Sequence, residues 1–333
     1  MQPFLELDAA QLKAWLVERG YPAYRAAQIR KWVFENRAEN FEAMSDLPKK
    51  LREELAATFT IFTSRIATHR HALDGTEKLL LEMVDGGRIE CVLLREGIRR
   101  SICISSQVGC AMGCVFCASG LDGVDRNLKA GEIVEQMLRL QRLLPRDERL
   151  SHIVVMGMGE PLANLDQVVA ALDVASQNDG LGISPRRITI STVGLPPAID
   201  RLASENPRFH LAVSLHAPND ELRNDIVPVN RQIGLEDILA AADRYFEASG
   251  RRLTFEYVLL GGLNDEPRHA KQLARLLRGR TALLNVIPYN PVAGLPYRTP
   301  TLDAQQLFRE ILERLNIAQK IVPQRSNDVV NGA

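Results

Sequence analysis

The sequence predicts an α/β protein: an open, partial (βα)6 barrel, preceded by a small N-terminal helical domain and a β-hairpin linker region. Three observations predict it. Residues 12–57 carry helical spacing, residues 78–94 read as two strands about a glycine turn, and beyond residue 101 six apolar runs alternate with segments of helical period. The expected boundaries are therefore residues 1–60 for the helical domain, 61–100 for the hairpin region and 101–333 for the barrel.

In the first region, Leu12, Trp15 and Leu16 share one helical face, as do Ile29, Trp32 and Val33. The breaks "RGYP" and "SDLPKK" separate the helices, and Ser45 and Asp46 stand where they could cap the next one. In the second region, "KLLLEMVDGGRIECVLL" turns at Asp85-Gly86-Gly87. In the third, the strand candidates are "SICIS", "HIVVMGMG", "RITISTVG", "FHLAVSLHA", "LTFEYVLL" and "ALLNVIPYN". Such alternation means a parallel sheet with both faces covered, and parallel α/β sheets place ligands at the carboxyl ends of their strands. Those ends carry Gly159-Glu160, Ser191-Thr192, Ser214-Leu215-His216, Gly261-Gly262 and Asn290. Six units fall short of a closed eight-stranded barrel.

The 333 residues are 46% hydrophobic, enough for a large core. No run approaches the roughly 18 apolar residues of a membrane span, and the start "MQPFLELDAAQLK" has no basic region leading into an apolar one, so a cytoplasmic protein is expected. Lysine plus arginine balances aspartate plus glutamate at 41 each, so net charge gives no argument for a nucleic-acid partner.

Three of the five cysteines, Cys110, Cys114 and Cys117, fall within eight residues of one another in "SQVGCAMGCVFCASG". An odd number of cysteines clustered in this way reads as reduced thiols used as ligands. A structural zinc wants four ligands, and no local fourth is present: the nearest histidines are His71 and His152, and Cys103 lies on the preceding strand. A [4Fe-4S] cubane held by three thiolates keeps one iron open for a ligand that is not protein. Bland readings stand beside each further candidate. Gly-x-Gly-Glu-Pro at Gly157–Pro161 is also a plain turn, Ser191 and Ser214 could be caps, His216 a satisfied structural histidine and Asn290 a turn residue.

In order, "CISSQVGCAMGCVFCASG", "DRNL", "MGMGEPLAN", "STVG", "SLHAPND" and "VIPYNP" resemble the RlmN/Cfr family of radical S-adenosylmethionine (SAM) RNA methyltransferases, and the resemblance runs from about Gly20 to near the chain's end. It implies a [4Fe-4S] cluster on Cys110, Cys114 and Cys117, with SAM chelating the open iron and cleaved by one electron to a 5′-deoxyadenosyl radical. SAM contacts are implied at Gly159, Glu160, Ser191, Ser214, Leu215, His216 and Asn290. It further implies methylation of one adenine of 23S ribosomal RNA at carbon-2 or carbon-8, with certain transfer RNAs as substrates of the carbon-2 enzymes. An electron donor such as flavodoxin and a monomeric state belong to the same expectation.

By the same resemblance, one SAM first methylates a cysteine near the carboxyl terminus, Cys103 is the resolving cysteine and Glu90 the proton acceptor. Read by themselves, Cys103 is a small buried hydrophobe and Glu90 a hairpin carboxylate facing water. Alternation along its strand turns Cys91 to the face opposite Glu90. Counted from Arg325 and Asp328, the methyl-carrying position falls on Ala333, so the carrier cysteine is not expected in this chain. Three explanations stand side by side: a chain trimmed or altered relative to a longer protein, a one-residue insertion that sets the cysteine just beyond the chain's end, or a paralogue that lost the carrier. A natural alanine there predicts SAM cleavage without two-step adenine methylation. Two other classes remain as alternatives: an RNA-binding protein without turnover, and an electron carrier using the cluster alone.

Overall fold

The computed structural model describes residues 1–321. Ala333, on which the carrier count falls, lies outside the described residues. Strand β1 (Gln2–Pro3) leads into helix α1 (Ala9–Glu18) through Asp8, whose side chain accepts from the Gln11 backbone at 2.7 Å while the Gln11 side chain accepts from the Asp8 backbone at 2.9 Å. Leu12 and Leu16, one turn apart, are fully buried. Helices α2 (Arg25–Phe34) and α3 (Lys49–Thr58) follow, and β2 (Phe59–Thr60) returns to pair with β1. Ser45 and Asp46 do not cap α3. Pro48 keeps the residue before it out of the helical region, so the helix starts at Lys49 and Asp46 instead accepts from Trp32 Nε1 at 2.6 Å.

The hairpin expected at Asp85–Gly87 forms, with Gly86 at φ 86°, but it is not a separate linker. Strands β3 (Arg65–His71), β4 (Glu77–Glu82), β5 (Arg88–Glu96) and β6 (Arg99–Ile104) make an antiparallel meander that is continuous with the barrel sheet. After β6, the short pair β7 (Gln107–Gly109) and β8 (Val124–Asn127) brackets the cysteine loop. The chain then alternates: α4 (Ala130–Gln141), β9 (His152–Val155), α5 (Leu165–Ser176), β10 (Ile188–Thr192), α6 (Pro196–Glu205), β11 (His210–Ser214), α7 (Asp220–Ile226), α8 (Leu235–Ser249), β12 (Leu253–Leu259), α9 (Pro267–Leu277), β13 (Ala282–Pro288), α10 (Leu302–Arg314) and β14 (Gln319–Ile321).

All six expected strands are present, and β14 adds a short seventh parallel strand. Among the described residues the ten-stranded sheet runs β14-β13-β12-β11-β10-β9-β6-β5-β4-β3, with β14 and β3 at its edges. Register decides what faces the site. Cys103 pairs with Val92 and Glu90 with Leu80, so Cys103, Glu90 and Lys78 share one face, while Cys91, opposite Leu79, turns into the core and is 1% exposed.

One continuous apolar cluster runs from Phe4 in the N-terminal module to Leu312 in α10. A second, smaller one gathers Phe116, Val193, Ala217, Ile226, Val227, Leu260 and Tyr289 beneath the cysteine loop. Each fully buried Leu, Ile or Phe contributes about 1.5–3 kcal/mol relative to exposure, so the larger cluster locks the N-terminal helices to the barrel. No described helix is long and apolar enough to cross a membrane.

Candidate functional site

The cysteine loop sits where β6 ends. Gly109 has φ 74°, and a Cβ there would lie 2.1 Å from the Gly123 carbonyl oxygen, so only glycine permits the chain to enter the loop beside Gly123. The Cys110 amide donates to that same carbonyl at 2.7 Å, the Cys117 amide to Cys114 O at 3.1 Å, and the Val115 amide to Ile226 O at 3.1 Å, which ties the loop to the end of α7. Phe116 is buried and meets the His216 ring edge-on, with centroids 5.0 Å apart. The three thiols are half-buried. Burial pushes the Cys114 thiol up to about 12; negative charge on Cys117 and Cys110 adds to this, and the Arg223 guanidinium opposes it. Cys110 is raised by burial first and also feels Cys117.

The three sulfurs therefore act on one another electrostatically. Three thiols without a local fourth ligand suit a cluster that keeps one iron open better than a four-coordinate structural zinc.

Around this loop the strand ends assemble the remaining expected residues. Gly159 has φ 98°, and a Cβ there would come within 2.6 Å of Gln107, so the "GMGEP" turn packs directly on β7. Glu160 is buried; one carboxylate oxygen accepts from the Leu162 amide at 2.9 Å and the other from the Val193 amide at 2.8 Å. Burial raises its pKa, and these bonds, with one from the Thr192 side chain, oppose the rise. Most of the acceptor capacity of Glu160 is thus used in fastening β9 to β10, which narrows its expected role as acceptor for a ligand ammonium.

Ser191 and Ser214 donate to the same oxygen, Glu256 Oε2, at 2.9 and 3.2 Å. The Leu215 and His216 amides both donate to the Glu256 backbone carbonyl, at 2.9 and 3.3 Å. His216 is a non-glycine residue at φ 59°, a conformation that costs energy and turns its ring under the cysteine loop. Its Nδ1 accepts from the Val258 amide at 3.2 Å, so the proton of the neutral ring sits on Nε2. Burial and the Arg223 charge push its pKa down to about 3. Asn290 carries a buried Oδ1 with no hydrogen-bond partner among the described residues, an acceptor left for a ligand's N–H or O–H. That orphaned oxygen and the paired serine hydroxyls suit a polar nucleoside ligand such as SAM.

Glu90 and Cys103 share one face of β5 and β6. Glu90 accepts from Lys78 Nζ at 2.8 Å, and its backbone carbonyl accepts from Ser105 Oγ at 2.6 Å. Burial pushes the Cys103 thiol up to about 12, and the charges of Glu256 and Glu90 both add to the effect.

Sequence reasoning missed Glu256 and Arg223. Glu256 lies inside the apolar run "LTFEYVLL", where a lone carboxylate breaking a buried strand was the available signal. Arg223 is fully buried and donates to the carbonyls of Leu215 (3.0 Å), Val193 (2.6 Å) and Ser214 (3.0 Å) and to Asn230 Oδ1 (2.5 Å), stitching the ends of β10 and β11 to α7. Nothing in "NDELRND" distinguishes it from a solvated helix residue.

A partial barrel whose strand ends surround a three-cysteine loop defines a radical SAM enzyme, and residues 104–274 match the radical SAM superfamily. The cofactors of this class are a [4Fe-4S] cluster and SAM. Residues 3–61 match the ribosomal RNA large subunit methyltransferase N-terminal domain. A Rhodopirellula baltica protein named probable dual-specificity RNA methyltransferase RlmN is 67% identical over 97% of this chain and 87% of its own length. The Bacillus subtilis protein of the same name is 42% identical over 97% of this chain and 89% of its own. A crystal structure of a radical SAM methyltransferase from Sphaerobacter thermophilus superposes with TM-score 0.95 at 42% identity, covering 99% of this chain and 97% of the other. The chain belongs to the RlmN family of radical SAM RNA methyltransferases.

Proposed function

We propose that this protein methylates an adenine of 23S ribosomal RNA, at carbon-2, and acts on certain transfer RNAs as well. One observation carries the reading beyond family membership: Glu90 and Cys103 project from one face of adjacent strands, and Cys103 feels the charge of Glu256, the carboxylate that binds Ser191 and Ser214. Relay residues and cofactor residues thus meet in one space.

In this reading Cys110, Cys114 and Cys117 hold the cluster, and Gly159, Glu160, Ser191, Ser214, Leu215, His216 and Asn290 hold SAM. The bound cofactors supply one-electron chemistry, which an aromatic carbon neither nucleophilic nor acidic requires. The chain's own groups do the rest. Because both serine hydroxyls donate inward to Glu256, they present lone pairs outward to ligand hydroxyls. Asn290 Oδ1 accepts from the ligand, and neutral His216 offers Nε2–H. Glu90 accepts the proton lost from the base, with Lys78 fixing the carboxylate. Cys103, protonated at neutral pH, serves as the resolving thiol only once a base removes its proton.

RNA contact is supported by charge placement that net charge conceals. A cavity of about 510 Å³, between α2, the end of α4 and the loop after α5, is lined by four cations, Lys31, Arg37, Arg146 and Arg149, against two carboxylates, Glu35 and Asp179. Arg37 is lowered by burial first and then by Arg146, Arg142 and Arg149, so these cations repel one another and would favour a phosphate. Residues 1–60 act with this cleft as the RNA-binding part of a monomeric enzyme, and a flavodoxin-type donor supplies the electron.

The test is anaerobic incubation of the cluster-loaded protein with SAM, a reductant and 23S ribosomal RNA, followed by nucleoside mass spectrometry. Methylated adenine supports the proposal. Cleaved SAM without methylated adenine supports the second reading, a paralogue without two-step methylation, which the 67% identity to a named methyltransferase does not favour. An Ala333→Cys variant separates a missing carrier from a lost RNA site: methylation restored by that one change would place the defect in the carrier.

A further inference from the structure

The outer edge of the ten-stranded sheet carries ligating side chains that share no residue with the site above. His69 and His71 are two apart on β3 and project from one face, and Glu77 on β4 pairs directly with His71. One ligand atom from each lies within 4.8 Å of the others. His69 Nε2 is 2.7 Å and His71 Nδ1 3.3 Å from the same oxygen, Glu77 Oε2, and the two rings are 4.0 Å apart. The other oxygen, Oε1, is gripped by Arg95, which also donates to the Gly75 carbonyl at 2.6 Å. Arg95 therefore orients the carboxylate so that Oε2 faces both imidazoles. The Glu77 side chain is 8% exposed, whereas those of His69 and His71 are 32% and 63% exposed, a buried anchor with an approach open to solvent.

We propose that His69, His71 and Glu77 bind one divalent first-row transition ion, with water completing its coordination. Two imidazoles and a carboxylate are the donor set that zinc and its neighbours prefer, and an outer partner on the carboxylate is the usual support. Tetrahedral bonds of about 2.0–2.2 Å separate ligand atoms by roughly 3.4 Å. The present 2.7 and 3.3 Å spacings reach that value by movements of under 1 Å in exposed imidazoles. The ion would clip the edge strand β3 more firmly to β4, one residue from Lys78, which faces the relay on the opposite side of the sheet.

The test uses the full chain with its iron–sulfur cluster loaded anaerobically, so that the cluster thiols are not free to take zinc. Zinc is titrated in competition with a chromophoric chelator against the wild type, His71→Ala and the His69→Ala/His71→Ala double variant. The wild type should take up one equivalent more than the double variant, and His71→Ala should weaken that equivalent at least tenfold. Zinc should raise the melting temperature of the wild type and leave that of the double variant unchanged. Should the double variant melt lower without zinc, His71→Ala alone carries the comparison, since that side chain is mostly solvated. Identical titrations of wild type and His71→Ala overturn the proposal.

Discussion

Replacing Glu256 tests the idea that one buried carboxylate sets the polarity of the cofactor pocket. Its Oε2 accepts from Ser191 at 2.9 Å and Ser214 at 3.2 Å, and the Asn285 side chain also donates to it. In Glu256→Ala these donors lose their acceptor, and each buried orphan costs about 1–3 kcal/mol. A total near 4 kcal/mol is expected, a large fraction of the ~5–15 kcal/mol that holds a typical domain. At roughly 2 °C per kcal/mol for a chain this long, the melting temperature should fall by about 8 °C. Glu256→Gln keeps an acceptor and most of the stability but brings an N–H₂ group into a nest of donors, so one serine must turn its proton outward toward the ligand. An acceptor lost to a ligand hydroxyl in this way should weaken SAM binding about tenfold, the equivalent of ~1.4 kcal/mol. Glu256→Gln also removes a negative charge that holds the Cys103 thiol up, so alkylation of Cys103 at fixed pH should become several-fold faster. Equilibrium SAM binding and mass-spectrometric alkylation rates measure both effects. A Glu256→Gln protein matching the wild type in both would refute the assignment.

Four further outcomes follow from the same geometry. With its thiol pushed up to about 12 by burial, Cys103 in the ligand-free protein should react with iodoacetamide at pH 8 much more slowly than an unperturbed cysteine and should speed up as pH rises; labelling at the free-thiol rate would contradict its placement. His216 is held down to about 3 against 6.5 unfolded, so its contribution to stability is complete above pH 6.5 and is lost at about 1.4 kcal/mol per unit as pH falls toward 3. His216→Asn, which tolerates the left-handed backbone and offers an acceptor to Val258, should flatten the acid limb of the denaturation curve by about one proton; an unchanged limb would count against a buried neutral imidazole. Cys114→Ala should abolish iron uptake on anaerobic reconstitution, whereas Cys91→Ala, in the core, should retain it. Arg146→Ala/Arg149→Ala should weaken RNA binding across sequences and reduce the slope of log K against log salt by about 1.4, two contacts at ~0.7 each, and an unchanged slope would remove the cleft from the RNA path.

The strand ends were legible because parallel strands announce themselves as apolar runs that stop at polar residues, and all six did so. The cysteine loop was legible because three thiols at close spacing have few other uses. Glu90 and Cys103 were not readable from their own surroundings. Their shared face depends on the β5–β6 register, a pairing between residues about a dozen positions apart that alternation alone does not fix. The hairpin turn was visible, but its continuity with the barrel was not, since β6 has antiparallel signals on one side and a parallel partner, β9, some fifty residues away on the other. The arginine cleft escaped for a similar reason: Lys31 and Arg37 lie on one segment and Arg146 and Arg149 on another, and only packing brings the two together.

The buried guanidinium of Arg223 beneath the cysteine loop argues for a negatively charged neighbour there and not for stability alone. Among the described residues Arg223 is satisfied by four neutral acceptors, with no carboxylate in hydrogen-bond contact. Burial lowers its pKa to about 10, the sign of a cation short of compensation, and the charge on Cys114 is the first influence that opposes this. Three thiolates on a cluster of net charge +2 carry one negative charge in sum, which a single buried guanidinium balances. Arg223→Met leaves the carbonyls of Leu215, Val193 and Ser214 and Asn230 Oδ1 without this donor, so the apoprotein should melt lower than wild type, and the cluster itself carries the test of that balance. The same variant should lower the reduction potential of the loaded cluster, measured by redox titration, because a nearby cation favours the added electron. A potential unchanged in a well-folded Arg223→Met protein would reduce Arg223 to a staple between strand ends.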